Sequence, residues 1–337
     1  MQNQGWKLLQ GSTTINKILM SGTSEASMTT LLFTHPVCLQ HDTGDYHPEC
    51  SDRIKAVLAA LESEEFMMLL RDEAPHATME QLMRAHPLSH IDFVLDSVPT
   101  SDSHHHLDPD TILSRYSGEA ALRAAGAVVA AVDAVAAKQV RNCFCAVRPP
   151  GHHAERETAM GFCFFNNAAV GALHARDVHG FKRVAIVDFD VHHGNGTQHI
   201  LWDEEGMLYA STHQEHAYPN TGFPEETGGK GVMVNVPLPA GTNSTDYRAA
   251  FGDVLIPKLR AFEPDFLIIS AGFDAHAADP LAHLRLTTAD FGWATRQLLD
   301  VAEEFAGNRV VSVLEGGYDL RALAASAREH VRALMGL

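Results

Sequence analysis

Little in this chain points to a disulfide, membrane or nucleic-acid protein. Only five cysteines occur among 337 residues (Cys38, Cys50, Cys143, Cys145 and Cys163), and no two form a C-x-x-C pair. That excludes a disulfide framework and a cysteine-based metal knot, and it suits a reducing, cytoplasmic compartment. No apolar run approaches the ~18 residues of a membrane span. The nearest, 120–137, is alanine-rich and interrupted by Arg123 and Asp133, so it reads as a packed helix. Basic residues are scarce: 25 Lys and Arg face 42 Asp and Glu, a formal net charge of −17. A cationic surface for nucleic acid is lacking. The negative field suits solubility or the steering of cationic ligands. No internal repeat or linker-like boundary divides the chain. Residues 1–27 are polar and patternless, without the basic start and apolar core of a signal peptide. They are expected to form a loosely ordered extension or an oligomer contact ahead of one domain over 28–337, with Met20 and Met28 as alternative starts.

What is present is 45% apolar and 20% charged sequence, enough for a sizeable core. Short apolar runs at 30–33, 143–147, 184–188, 207–212, 232–236, 266–270 and 309–314 read as strands. Helices are expected over 51–61, capped by Ser51, and over 62–71, 117–138, 167–178, 244–261, 288–305 and 320–335. Thr78 and Gln81 have capping-box spacing at the start of a further short helix. Residues 99–109, with His104, His105 and His106, read as a solvated loop near the mouth of any site. Strands alternating with helices predict an α/β fold with a central, mostly parallel sheet flanked by helices. Ligands then belong at the C-terminal strand ends.

Polar residues collect at that edge. The run Asp188-Phe189-Asp190-Val191-His192-His193-Gly194-Asn195-Gly196 follows an apolar strand, so alternation places Asp188, Asp190 and His192 on one face. His152 and His153 follow Val147. The loop after Ser270 offers Asp274, His276 and Asp279, and Tyr318 follows a Gly pair. Two carboxylates and one imidazole leave positions on a zinc ion for water and substrate. A neutral histidine can act as general base, and a phenol can donate to an oxyanion.

Taken in order, P-P-G-H-H at 149–153, M-G-F-C-F-F-N-N at 160–167, D-F-D-V-H-H-G-N-G-T-Q at 188–198, A-G-F-D-A at 271–275 with D-P-L at 279–281, and E-G-G-Y at 315–318 resemble the zinc-dependent histone deacetylase family. Asn195 makes the chain similar to class II members and to the bacterial deacetylase-like and acetylpolyamine amidohydrolases. The resemblance implies the single-domain arginase/deacetylase fold and hydrolysis of an N-acetyl-lysine or related acyl-amine to acetate and amine. It implies zinc held by Asp190, His192 and Asp279, with Asp274 as the rival carboxylate. His153 is the implied general base and His152 an electrostatic partner, with Asp188 behind His152 and Asn195 behind His153. Tyr318 would bind the acetyl oxygen; poorly active members carry histidine there. Phe162 and Tyr218 would wall the tunnel, with Gly161 and Gly317 allowing close backbone approach. A structural potassium ion is implied at Asp188, Ser211 and the carbonyls of Asp190, His192 and Thr212.

Three alternatives compete. Acetylpolyamine hydrolysis, with a homo-oligomer restricting access, is disfavoured because Leu281 stands where a polyamine-selective relative has glutamate. A two-manganese arginase-like site needs D-x-H-x-D, and Gly194 fills the last position. A non-catalytic acyl-lysine binding module predicts a lost ligand, histidine or tyrosine, and none is lost.

Overall fold

The computed structural model describes residues 29–337. The expected extension over 1–27 lies outside the described residues. Eight strands form the main sheet: β1 (Thr30–Thr34), β2 (Leu70–Glu73), β5 (Asn142–Cys145), β6 (Val184–Asp188), β7 (Met207–Gln214), β8 (Val232–Leu238), β9 (Phe266–Ala271) and β10 (Val310–Leu314). Their order is β2-β1-β5-β10-β9-β6-β7-β8. Every neighbouring pair is parallel. A separate antiparallel pair joins β3 (His105–His106) to β4 (Ile112–Leu113).

The central strands are buried on both faces because helices cover both. On one side α4 (Ser117–Ala136) and α5 (Asn167–Asp177) pack against Leu31, Cys143, Ile186 and Val311. On the other, α1 (Ser51–Ala60), α9 (Thr288–Glu304) and α10 (Leu320–Met335) pack with Leu32, Phe144, Ala185 and Leu267. The alternation of these strand residues between two cores is the period-2 pleat. Asp133 on α4 accepts from Nε2 of both His174 and His179 at 2.7 Å, pinning α4 to α5.

Several expectations need correction. The helix expected over 62–71 is a 3-10 turn at Glu64–Phe66 followed by β2, because Leu70–Glu73 pair with β1 at the sheet edge. Ser51 is the first helical residue, and Cys50 caps it without a side-chain bond. The box at Thr78 forms as expected, with Thr78 accepting from Gln81 and Gln81 reaching back over α2 (Met79–Leu82). Two helices were not anticipated, α3 (Leu88–Asp96) and α6 (Asn195–Leu201). The helix expected over 244–261 is α7 (Ser244–Ala250), a π-turn (Phe251–Leu255) and α8 (Ile256–Phe262). The histidine loop carries the two-residue β3, in which His105 and His106 stay exposed.

Two buried histidines are structural. His86 Nδ1 faces the Arg156 carbonyl at 3.1 Å, and its Nε2 accepts from Asn166 N at 2.9 Å. Nε2 therefore carries no proton. Burial, then the neighbouring His90, pushes His86 down to about 3. Burial alone does the same to His330, which lies between Thr295 and Ser312. Both bind a proton more readily unfolded than folded, so their contribution is complete above the ordinary imidazole pKa of ~6.5 and is lost as pH falls toward about 3. These two histidines should pull the melting temperature down as pH drops below ~6.5. The acid slope should be shallower in His86→Gln, measured by calorimetry; an identical slope would mean that His86 protonates at no cost.

Candidate active site

The site is built from loops leaving β5, β10, β9 and β6, which are adjacent in the sheet. Regular pairing in β6 ends at Asp188, yet the alternation continues: Phe189 and Val191 enter the core while Asp190 and His192 meet the other loops. Asp188 is completely buried. Its Oδ2 faces His152 Nδ1 at 2.9 Å and accepts from the Tyr209 hydroxyl at 3.0 Å, and its Oδ1 accepts from Asp190 N at 3.0 Å. The rings of His152 and His153 lie against each other with centroids 4.0 Å apart, tilted by 44°. Behind His153, Nδ1 meets Asn195 Oδ1 at 2.8 Å.

The two histidines have opposite electrostatics. Burial opposes a charge on His152, but Asp190, Asp188 and Glu315 outweigh it and push its pKa up to about 10. Burial, followed by the positive charges of His152 and His192, drives His153 well below the usual imidazole range. One ring is thus an imidazolium and the other a neutral base. The Tyr318 phenol is driven well above its ordinary value by burial, so it keeps its proton as a donor. Arg53 lies 4.9 Å over its ring.

The metal-type donors converge. His192 Nδ1 lies 3.1 Å from Asp190 Oδ1 and 3.1 Å from Asp274 Oδ2. These three residues each offer a ligand atom within 4.8 Å of the others. Asp279 lies in the same field: burial raises its carboxyl, with the Asp190 charge adding to that, while backbone N–H groups of Tyr318, Leu281 and Asp319 oppose it. Burial and the Asp190 charge hold Asp274 up to about 7. Burial opposes charge on His192 too, yet bonds to Asp190 and Asp274 push it up to about 10. A proton on His192 supplies positive charge where a divalent cation would supply it. The donor set (imidazole nitrogen and carboxylate oxygens) fits zinc.

A cavity of about 380 Å³ leads to these groups, lined by His153, His192, Tyr318, Phe162, Tyr218 and Leu281, among others. Gly161 also lines it. Gly161 has φ 56°, and a Cβ there would lie 2.6 Å from the His153 ring. Gly317, with φ 121°, presents its carbonyl to Arg53 Nε at 2.6 Å. Ser211 stands opposite Asp188 in the β6–β7 register, with Thr212 next to it, and both are buried.

Several contributors escaped the sequence reading. His47 packs edge-on against Phe162 at 4.8 Å, and Asp110 stands at the cavity wall. Glu315, in the loop before Tyr318, accepts from Gly151 N at 2.7 Å and His152 N at 3.1 Å. Glu49, Arg53 and Arg148 form a completely buried ion cluster under the Tyr318 loop. The i,i+4 spacing of Glu49 and Arg53 was the one local signal for it.

The histone deacetylase domain profile matches residues 47–334. The chain is 37% identical over 330 residues to histone deacetylase 14, chloroplastic, of Arabidopsis thaliana, covering 91% of this chain and 77% of that protein. It is 40% identical over 277 residues to a histone deacetylase-like amidohydrolase of Pseudomonas aeruginosa, covering 80% of this chain and 71% of that one. The crystal structure of the HDA15 HD domain superposes with a TM-score of 0.86 at 38% identity, covering 92% of this chain and 89% of that one. With the parallel sheet, the paired histidines and the buried carboxylates already in place, these likenesses show that the chain belongs to the histone deacetylase family of hydrolases.

Proposed function

We propose that this hydrolase is zinc-dependent and removes the acetyl group from N-acetyl-lysine side chains of proteins or peptides. The observation that supports this best is the concentration of negative charge. Asp188, Asp190, Asp274, Asp279 and Glu315 are all buried, each against His152, His192 or the Tyr318 backbone. His152 and His192 offset part of this charge, yet four of the five carboxyls are still pushed up. Such a cluster favours a cation.

Asp190, His192 and Asp279 would hold zinc. Asp274 faces His192 and accepts from Val191 N at 2.9 Å, while Asp279 accepts from the backbone of Tyr318, Asp319 and Leu281, so the choice of Asp279 over Asp274 rests on the family's motif order. Bound zinc supplies a water with a pKa near ~7 and polarises the acyl oxygen. The chain's own groups do the rest. His153 takes the proton of the attacking water at Nε2. His152 stays protonated, held by Asp188, and stabilises negative charge. The Tyr318 phenol donates to the developing oxyanion. The protonated His153 then delivers its proton to the leaving amine, and acetate and a free amine result. Phe162 and Tyr218 would flank the aliphatic stem of the substrate. Asp188, Ser211 and the carbonyls of Asp190, His192 and Thr212 would hold potassium, as a buried oxygen set beside the site. Five free thiols support a reducing compartment such as the cytoplasm. No helix among the described residues is long and apolar enough to cross a membrane.

Leu281, 41% exposed at the cavity mouth, offers no carboxylate for a distal ammonium. We therefore expect acetyl-lysine peptides to be cleaved faster than acetylpolyamines in a side-by-side panel, with turnover abolished by a chelator. Peptide binding without turnover by the zinc-loaded protein would favour a binding module instead. Tyr318→Phe should lower kcat by ~10² while retaining zinc, as expected for a lost oxyanion donor; unchanged turnover would remove Tyr318 from the mechanism. Asp279→Ala should purify with substoichiometric zinc by elemental analysis. Full zinc in that variant, together with its loss in Asp274→Asn, would assign Asp274 as the ligand.

A further inference from the structure

We infer that Glu155 is a positioning residue for His153, acting through Asn195 to decide which imidazole nitrogen carries the proton; this rests on His153 being the general base. The Asn195 side chain is held on three sides. Its Oδ1 faces His153 Nδ1 at 2.8 Å, and its Nδ2 donates to Glu155 Oε1 at 2.8 Å and to Met160 Sδ at 3.4 Å. An ionised carboxylate only accepts, and so does a thioether. Reversing the amide would set its oxygen against both. The amide is therefore locked with Oδ1 toward the ring, and His153 must donate from Nδ1. Its Nε2 is left as a bare acceptor, and the ring lines the cavity. If the amide reversed, Nδ1 would become the acceptor and the proton would move to Nε2. The ring could then no longer take a proton from water.

Glu155 is the stronger of the two locks, because sulfur is a weak acceptor. It lies two residues beyond His153, and its backbone N–H reaches the Thr158 carbonyl at 2.9 Å. Its carboxylate borders a surface groove of about 260 Å³ shared with Asn195, His199 and Glu226. Glu155 Oε2 faces His199 Nδ1 at 3.5 Å across that groove. A water replacing the carboxylate here could donate as well as accept, so the lock depends on the carboxylate and not on filling space.

Glu155→Gln keeps the shape and adds a donor, which permits the reversed amide. In the zinc-loaded full chain we expect kcat to fall by about tenfold with KM unchanged, the low end of the losses seen when a hydrogen-bond partner behind a functional histidine is removed. Long-range ¹H–¹⁵N spectra should show His153 Nε2 unprotonated in the parent and a mixture of tautomers in Glu155→Gln. The second arm uses Asn195→Asp, which sets a carboxylate against Glu155. In that background Glu155→Gln should raise kcat/KM, reversing its sign. An unchanged tautomer with unchanged kcat, or an equal loss in both backgrounds, would overturn the proposal and leave Glu155 a merely structural residue. If the parent turns over no acyl-amine, the functional reading fails, while the spectra still judge Glu155.

Discussion

Buried negative charge at the C-terminal sheet edge is the constraint on which the rest of this structure depends. A carboxylate removed from water strongly favours neutralisation or a positive partner. Five of them cluster behind the cavity-lining histidine and tyrosine, so whatever is positive there is held tightly. His152 and His192 become imidazolium-like, and His153, next to both, is kept neutral by their charge. Acid and base roles thus follow from the same field acting on neighbouring rings. The same field makes a divalent cation the natural occupant among Asp190, His192 and the Asp274–Asp279 loop.

Glycines and a buried ion cluster let this edge close. A Cβ at Gly272 would collide with the Asp190 carboxylate, so only glycine lets the β9 loop approach it. Beneath the β10 loop, Arg53 bonds the carbonyls of Gly317 and Glu315, while Glu49 pairs with Arg53 and Arg148. Arg148 in turn bonds the carbonyls of Cys38 and His41. One carboxylate thereby couples the first loops of the chain to the histidine loop and the tyrosine loop. Breaking such a buried pair typically costs about 3–5 kcal/mol, because the remaining charge is stranded. The cluster also fixes the backbone that carries Tyr318.

Much of the site was legible because its donors sit beside glycines and prolines at strand ends. His152, His153, Asp190, His192 and Tyr318 were all found that way; His153, His192 and Tyr318 line one cavity, with His152 against His153 and Asp190 against His192. Phe162 and Tyr218 were found through the resemblance and do line that cavity. Each error has its own cause. Residues 62–71 have helical composition, but an open strand edge at β1 recruited 70–73. The short helix beginning at Asn195 was hidden because its residues were read as a loop motif. Glu155 carried no signal, since a lone exposed-type glutamate resembles any solvated side chain.

The sequence by itself determined the chemical types of the donors, their order along the chain and the parallel α/β class, because side-chain periodicity and strand-end motifs are local properties. Only the tertiary structure decided which donors meet, which histidine is charged and which is neutral, and which loops Glu49, Arg53 and Arg148 join. Those outcomes depend on distances across the sheet edge and on burial, and both exist only once distant segments have packed together.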